Sequence, residues 1–108
     1  MAPPFSYDGG RLSASGVALA DLAAEFGTPL YVYDLATVAA RIEAVRSAFA
    51  ACPTRLCYSV KANSNLGLLR AMALAGSGFD AVSQGEIYRA LRAGADPQRI
   101  VFAGVGKL

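Results

Sequence analysis

Histidine is absent from all 108 residues. Ser-His and Cys-His nucleophile pairs, and zinc sites that include histidine, therefore lie outside the chemistry this segment can perform alone. Cysteine is nearly absent too. Cys52 and Cys57 form neither a C-x-x-C pair nor a disulfide framework, so two half-buried thiols in a reducing compartment are expected. No like-charged run occurs, and Lys+Arg 10 against Asp+Glu 8 gives a net charge of only +2. That balance excludes the clustered basic footprint of a nucleic-acid partner. No uncharged apolar stretch is long enough to span a bilayer, and the opening "MAPPFSYDGG" lacks the basic start and apolar core of a signal peptide. A cytoplasmic location without a membrane partner is expected.

Apolar side chains, by contrast, are in excess. They make up 55% of the chain, against about 45–50% in ordinary domains even when glycine is counted in. A chain this short has too much surface to hide such a share. A piece of something larger is expected.

Elements alternate along the sequence. In "GVALADLAAEFG" Val17, Ala20 or Ala23, and Phe26 share one face of a short helix that stops at Gly27, and Pro29 forbids its continuation. "PLYVYD" reads as a strand from about Leu30 to Tyr33, and Asp34 is placed to cap the next helix. There Val38, Ile42, Val45 and Phe49 make a buried stripe while Arg41, Glu43 and Arg46 stay wet. Then come strand "RLCYSV", helix "LGLLRAMALAG", strand "GFDAVS", helix "GEIYRALRAG", and strand "IVFAG", whose apolar content suits burial on both faces. Strict alternation with short connections predicts βαβ units on a parallel sheet, an α/β fold. Periodicity leaves doubly wound sheets and (β/α)₈ barrels both open.

In "RLCYSV" the period of two sets Leu56, Tyr58 and Val60 on a bulky face, and Cys57, Ser59 and Lys61 on a small one. Lys61 thus ends its strand at the carboxyl edge, where parallel sheets bind ligands. Two readings stand: a solvated lysine at a loop entrance, or a partly desolvated amine able to condense with an aldehyde. Ser83-Gln84-Gly85-Glu86 matches an S-x-x-E capping box, which accounts for Glu86 without catalysis. Asn63 and Asn65 are expected to shape the following turn and start its helix. "GVGK" lacks the glycine spacing of a phosphate loop.

Taken together, "GTPLYVYD", "YSVKANSN", "GFDAVSQGEIYRALRAG" and "IVFAGVGK" resemble the fold-type III pyridoxal-phosphate decarboxylases, most closely those acting on diaminopimelate. The likeness runs from "FSYDGGRL" to Lys107. It implies the N-terminal part, about four strands, of a (β/α)₈ barrel of the alanine racemase and ornithine decarboxylase type, with residues 17–108 in the barrel. Residues 1–16 would pair with a β-domain beyond this segment, so alone they are expected to be loose. It further implies that Lys61 carries pyridoxal 5′-phosphate, that Asp80 sits near Lys61 to stabilise its ammonium and help move its proton, and that Ser59 faces the cofactor ring. For Asp80 a carboxylate bonded to loop amides is the competing reading, and for Ser59 an inward filler.

The implied reaction is the decarboxylation of meso-diaminopimelate to lysine by a homodimer. Ornithine, arginine or carboxynorspermidine as substrate, or a non-catalytic pyridoxal-phosphate barrel, are the alternatives. Alanine racemases usually continue their lysine motif with Tyr-Gly, where this chain has "KANSN". The one-domain carrier lacks "FSYDGGRL" and "GTPLYVYD". The resemblance places the ring-stacking histidine, the phosphate-binding glycine loops and the acid facing the pyridine nitrogen outside this segment. With open strand edges, the isolated segment is expected to fold poorly and to be inactive.

Overall fold

The structure, a computed structural model, describes residues 3–105. Its chain divides into two compact units, the first ending at Thr37 and the second starting at Val38.

The first unit opens with an antiparallel meander: β1 (Ser6–Asp8), β2 (Arg11–Ala14) and β3 (Val17–Ala18). Two-residue turns connect them, and both central residues of each have positive φ: 57° and 82° at Gly9-Gly10, 49° and 81° at Ser15-Gly16. Such turns match the right-handed twist of the flanking strands. Hydrogen-bonded strands thus run through residues 6–18, and Val17 belongs to them rather than to the following helix. Helix α1 (Leu19–Phe26) ends at Gly27, and Phe26 stays 67% exposed instead of packing.

Residues 30–34 are not laddered. The aromatic and β-branched run predicted as a strand has no hydrogen-bonded strand partner among the described residues. Strand propensity alone does not form a strand, since the backbone groups need a neighbour to pair with.

Asp34 caps helix α2 (Leu35–Ala48) as expected. Its Oδ1 accepts from the Ala36 N–H at 3.2 Å and from the Ser15 hydroxyl at 3.0 Å, while Oδ2 accepts from the Thr37 hydroxyl at 2.9 Å. The Thr37 hydroxyl first, then that of Ser15, hold the carboxyl below its ordinary pKa of 3.8. A depressed folded value means that this tie is complete above the unfolded pKa and is lost as pH falls through the folded one. A carbon-detected NMR titration should give Asp34 a midpoint under 3.8, and Thr37→Val should raise it. A midpoint at or above the ordinary value would contradict the cap.

The second unit holds the parallel sheet: β4 (Cys57–Ser59), β5 (Gly78–Ala81) and β6 (Ile100–Phe102), in that order. Helices α3 (Leu66–Leu74) and α4 (Gln84–Arg92) make the crossovers. Val60, Leu69 and Phe79 are completely buried, each contributing about 1.5–3 kcal/mol through lost apolar exposure. Ile42, Leu68, Met72, Ala90, Ala93 and Ala95 complete the core, and Leu56 and Tyr58 pack against it. Tyr58 meets Phe79 edge to face, with ring centroids 6.5 Å apart. The bulky face predicted for the second strand is thus the helix-covered one.

Two expectations change. Ile42 is buried, but Val45 and Phe49 remain 42% and 52% exposed, because the end of α2 borders an open cleft shared with Cys52 and Leu56. Arg46 also does more than face water: it pairs with Glu43 at 2.9 Å and donates to the Ala75 carbonyl at the end of α3 at 2.9 Å. In β6, Val101 is 41% exposed, so that strand is covered on one face only. The thiols differ from each other, with Cys52 exposed and Cys57 half-buried, and both are free.

Candidate functional site

The parallel register sets Ser59 beside Asp80 and Asp80 beside Val101. These three side chains share the sheet face opposite the helices. On that face the Ser59 hydroxyl donates to Asp80 Oδ2 at 3.1 Å. The other carboxylate oxygen, Oδ1, is buried and has no hydrogen-bond partner. Asp80 therefore bonds a serine rather than loop amides, and half of its accepting capacity is unused in a place water does not reach. A buried acceptor left this way costs about 1–3 kcal/mol, so it marks a position suited to a donor that the described residues do not supply.

Lys61 follows two residues after Ser59, in a single 3₁₀ turn, Val60–Ala62, at the carboxyl end of β4. Its neighbour Val60 is driven into the core while Lys61 itself is exposed. Among the described residues no carboxylate lies within ion-pairing distance of its ammonium. The structure therefore joins Ser59 to Asp80 directly, but not Asp80 to Lys61.

Of the ten basic residues only Lys61 and Lys107 are lysines, which leaves Lys61 as the sole lysine among the described residues. Where arginine serves every other described cationic position, a lone lysine at the carboxyl end of a parallel strand stands out. Arginine stays protonated and cannot act as an amine nucleophile, whereas lysine can.

The turn after Lys61 is held by its asparagines, as expected. Asn63 Oδ1 accepts from the Asn65 N–H at 3.0 Å, and Asn65 Oδ1 accepts from the Leu68 N–H at 3.1 Å to cap α3. Glu86 is accounted for by capping. The Ser83 hydroxyl oxygen accepts from the Glu86 N–H at 3.1 Å, and Glu86 Oε1 accepts from the Val82 N–H at 3.2 Å, one residue earlier than the usual reciprocal bond. The "GVGK" stretch runs past the described residues.

These features define a parallel α/β scaffold with an exposed amine and a half-satisfied carboxylate on the carboxyl side of its strands. Comparison with known proteins makes that class specific. The family described as "Pyridoxal-dependent decarboxylase, pyridoxal binding domain" matches residues 35–108. A diaminopimelate decarboxylase from Pseudomonas aeruginosa is 52% identical over 103 residues, covering 95% of this chain and 25% of the relative. The crystal structure of diaminopimelate decarboxylase from M. jannaschii superposes with a TM-score of 0.90 at 32% identity, over 97% of this chain and 26% of that one. That of the Helicobacter pylori enzyme, complexed with L-lysine, gives 0.77 at 44% identity, over 83% and 23%.

The chain belongs to the pyridoxal-dependent decarboxylase family, within its pyridoxal binding domain. Its three parallel strands and their helices are part of the (β/α)₈ barrel of the alanine racemase and ornithine decarboxylase type. It spans about a quarter of the length of the curated relatives it matches.

The residues present fit pyridoxal phosphate in part. An aldehyde requires a reachable primary amine, which Lys61 supplies, and the buried lone Oδ1 of Asp80 is ready for a donor. Lys61 would hold the cofactor, and Ser59 and Asp80 would flank it.

Proposed function

We propose that this chain supplies the cofactor-attachment quarter of an enzyme that converts meso-diaminopimelate to L-lysine and carbon dioxide. The observation that carries the reading is the placement of the only described lysine directly after β4, two residues from the Ser59–Asp80 pair. The 52% identity to the Pseudomonas aeruginosa decarboxylase supports the substrate, and the L-lysine complex of the Helicobacter pylori relative supports an amino-acid ligand.

Pyridoxal phosphate, when bound, accepts the electron pair released as the bond from Cα to the carboxylate breaks. The work of this chain's own residues is positional and protonic. Lys61 would provide the primary amine that anchors the cofactor's aldehyde. Asp80, held in orientation by the Ser59 hydroxyl, would offer Oδ1, which has no partner among the described residues, to a donor of the bound cofactor or substrate. Residues 1–16 pair with a further β-domain, the whole enzyme works as a homodimer, and it resides in the cytoplasm, where free thiols such as Cys52 persist.

A chimera tests this directly: the present chain replaces the matching quarter of the Pseudomonas aeruginosa relative, and release of carbon dioxide and lysine from meso-diaminopimelate is measured. Turnover within about tenfold of the relative, a loss of no more than about 1.4 kcal/mol in barrier, is expected. A folded chimera that binds pyridoxal phosphate nowhere, or decarboxylates nothing, overturns the reading.

A further inference from the structure

The turn that carries Lys61 does little to hold itself. Its closing backbone bond runs from the Asn63 N–H to the Val60 carbonyl at 3.2 Å, and single 3₁₀ turns have poor hydrogen-bond geometry. Val60, fully buried, fixes the chain just before Lys61. What fixes it just after is a set of side-chain bonds to consecutive residues. The Tyr58 hydroxyl donates to the Asn63 carbonyl at 3.0 Å, and Arg89 Nε donates to the Ser64 carbonyl at 2.8 Å. The tyrosine bond is local. Arg89 reaches across 25 positions from α4, which packs against the turn.

We infer that Arg89 is the positioning residue for the Lys61 amine: by tying the Ser64 carbonyl to α4 it fixes the backbone from which Lys61 projects. A bond from a charged donor is about twice as strong as a neutral one, and this one is partly buried. An attachment lysine works only when it is held within about 0.5 Å of its productive geometry. Without Arg89 the Ser64 carbonyl would be free to turn, and the backbone after Lys61 would keep only its bonds at Asn63, none of which reaches α4. The inference rests on the assignment of Lys61 as the attachment residue.

Two variants separate this bond from mere charge or bulk. Glutamine sets its amide nitrogen as many bonds from Cα as the arginine Nε, whereas methionine sets a methyl group there with no hydrogen to give. Arg89→Met and Arg89→Gln are made in the chimera. Amide hydrogen exchange over residues 60–66 and borohydride trapping of pyridoxal phosphate on Lys61, located by peptide mapping, are then compared. Arg89→Met should speed exchange about tenfold or more, as loss of a charge-assisted bond implies, and should cut the trapped fraction at limiting cofactor. Arg89→Gln should keep both within about threefold of the parent.

The inference is overturned if Arg89→Met leaves exchange unchanged, if it loosens the turn while trapping is untouched, or if Arg89→Gln fails as badly as Arg89→Met. A parent chimera with no label on Lys61 instead defeats the attachment assignment itself, so the two failures are told apart.

Discussion

Lys61→Ala should abolish borohydride trapping at position 61 and lower decarboxylation in the chimera by at least the roughly 10²–10⁴-fold that a positioned acid–base group contributes. The substitution removes a side chain that is exposed and bears no ion pair among the described residues, so folding should be unaffected. Loss of function with an unchanged melting profile is the discriminating result. Lys61→Arg sharpens it further. Arginine keeps the positive charge and the length, so it would serve if Lys61 acted only as a counter-charge. Its guanidinium does not deprotonate in proteins, so as an attachment residue it should fail as completely as alanine. Peptide mapping has little background within this chain, because Lys107 is its only other lysine. Retained turnover in Lys61→Ala, or label on Lys107 with none on Lys61 in the parent, removes the basis of the assignment.

What the sequence revealed, and what it hid, follows the range of the interactions concerned. From Asp34 onward the caps are local: Asp34, Asn65 and Ser83 each bond an N–H two or three residues ahead, and spacing alone pointed to all three. The two faces of β4 were legible for the same reason, since alternation is a property of the strand itself. Leu30–Tyr33 misled because its residues suit a strand, yet pairing depends on what lies alongside. Val45 and Phe49 misled similarly, being spaced for a buried stripe whose outer end borders a cleft. The meander at the start was legible in principle. Gly9-Gly10 is a two-residue hairpin signal and Ser15-Gly16 a turn dipeptide, although the spacing of Val17, Ala20 and Phe26 equally suits a helix. The Arg89–Ser64 bond had no such signature, because 25 residues separate its ends.

The Ser59–Asp80 pair lies between these cases. That both face one side follows from the period of two, but that they touch depends on the register between β4 and β5, which aligns Ser59 with Asp80. A slip of one residue would turn Asp80 into the helix layer and bring Phe79 to the ligand face. The geometry of the site is therefore as secure as this register, in which Gly78 pairs with Cys57 two positions before Asp80 pairs with Ser59.

Gly78→Ala should be the most damaging small substitution in the sheet. Gly78 begins the central strand, with its N–H donating to the Leu56 carbonyl at 2.9 Å. An added Cβ would stand 2.6 Å from the Arg99 carbonyl oxygen, 3.1 Å from Cys57 Sγ and 3.2 Å from the Leu56 carbonyl oxygen. Two of these neighbours are backbone, which cannot rotate aside, so β5 must move away from β4 or β6. Overpacking of this kind costs about 1–3 kcal/mol, more than the roughly 0.5–1 kcal/mol that alanine recovers over glycine within regular structure. Gly85 in α4 is the opposite case, because its Cβ would meet only Ser83 Oγ, at 3.8 Å, so there the alanine gain should prevail. Thermal melts of the two chimera variants should thus move in opposite directions, Gly78→Ala down and Gly85→Ala slightly up. Gly78→Ala should also lower trapping on Lys61, since displacing β5 carries Asp80 away from Ser59. A Gly78→Ala protein that melts no lower than Gly85→Ala would show that the strands can part at no cost, and that their register is set elsewhere.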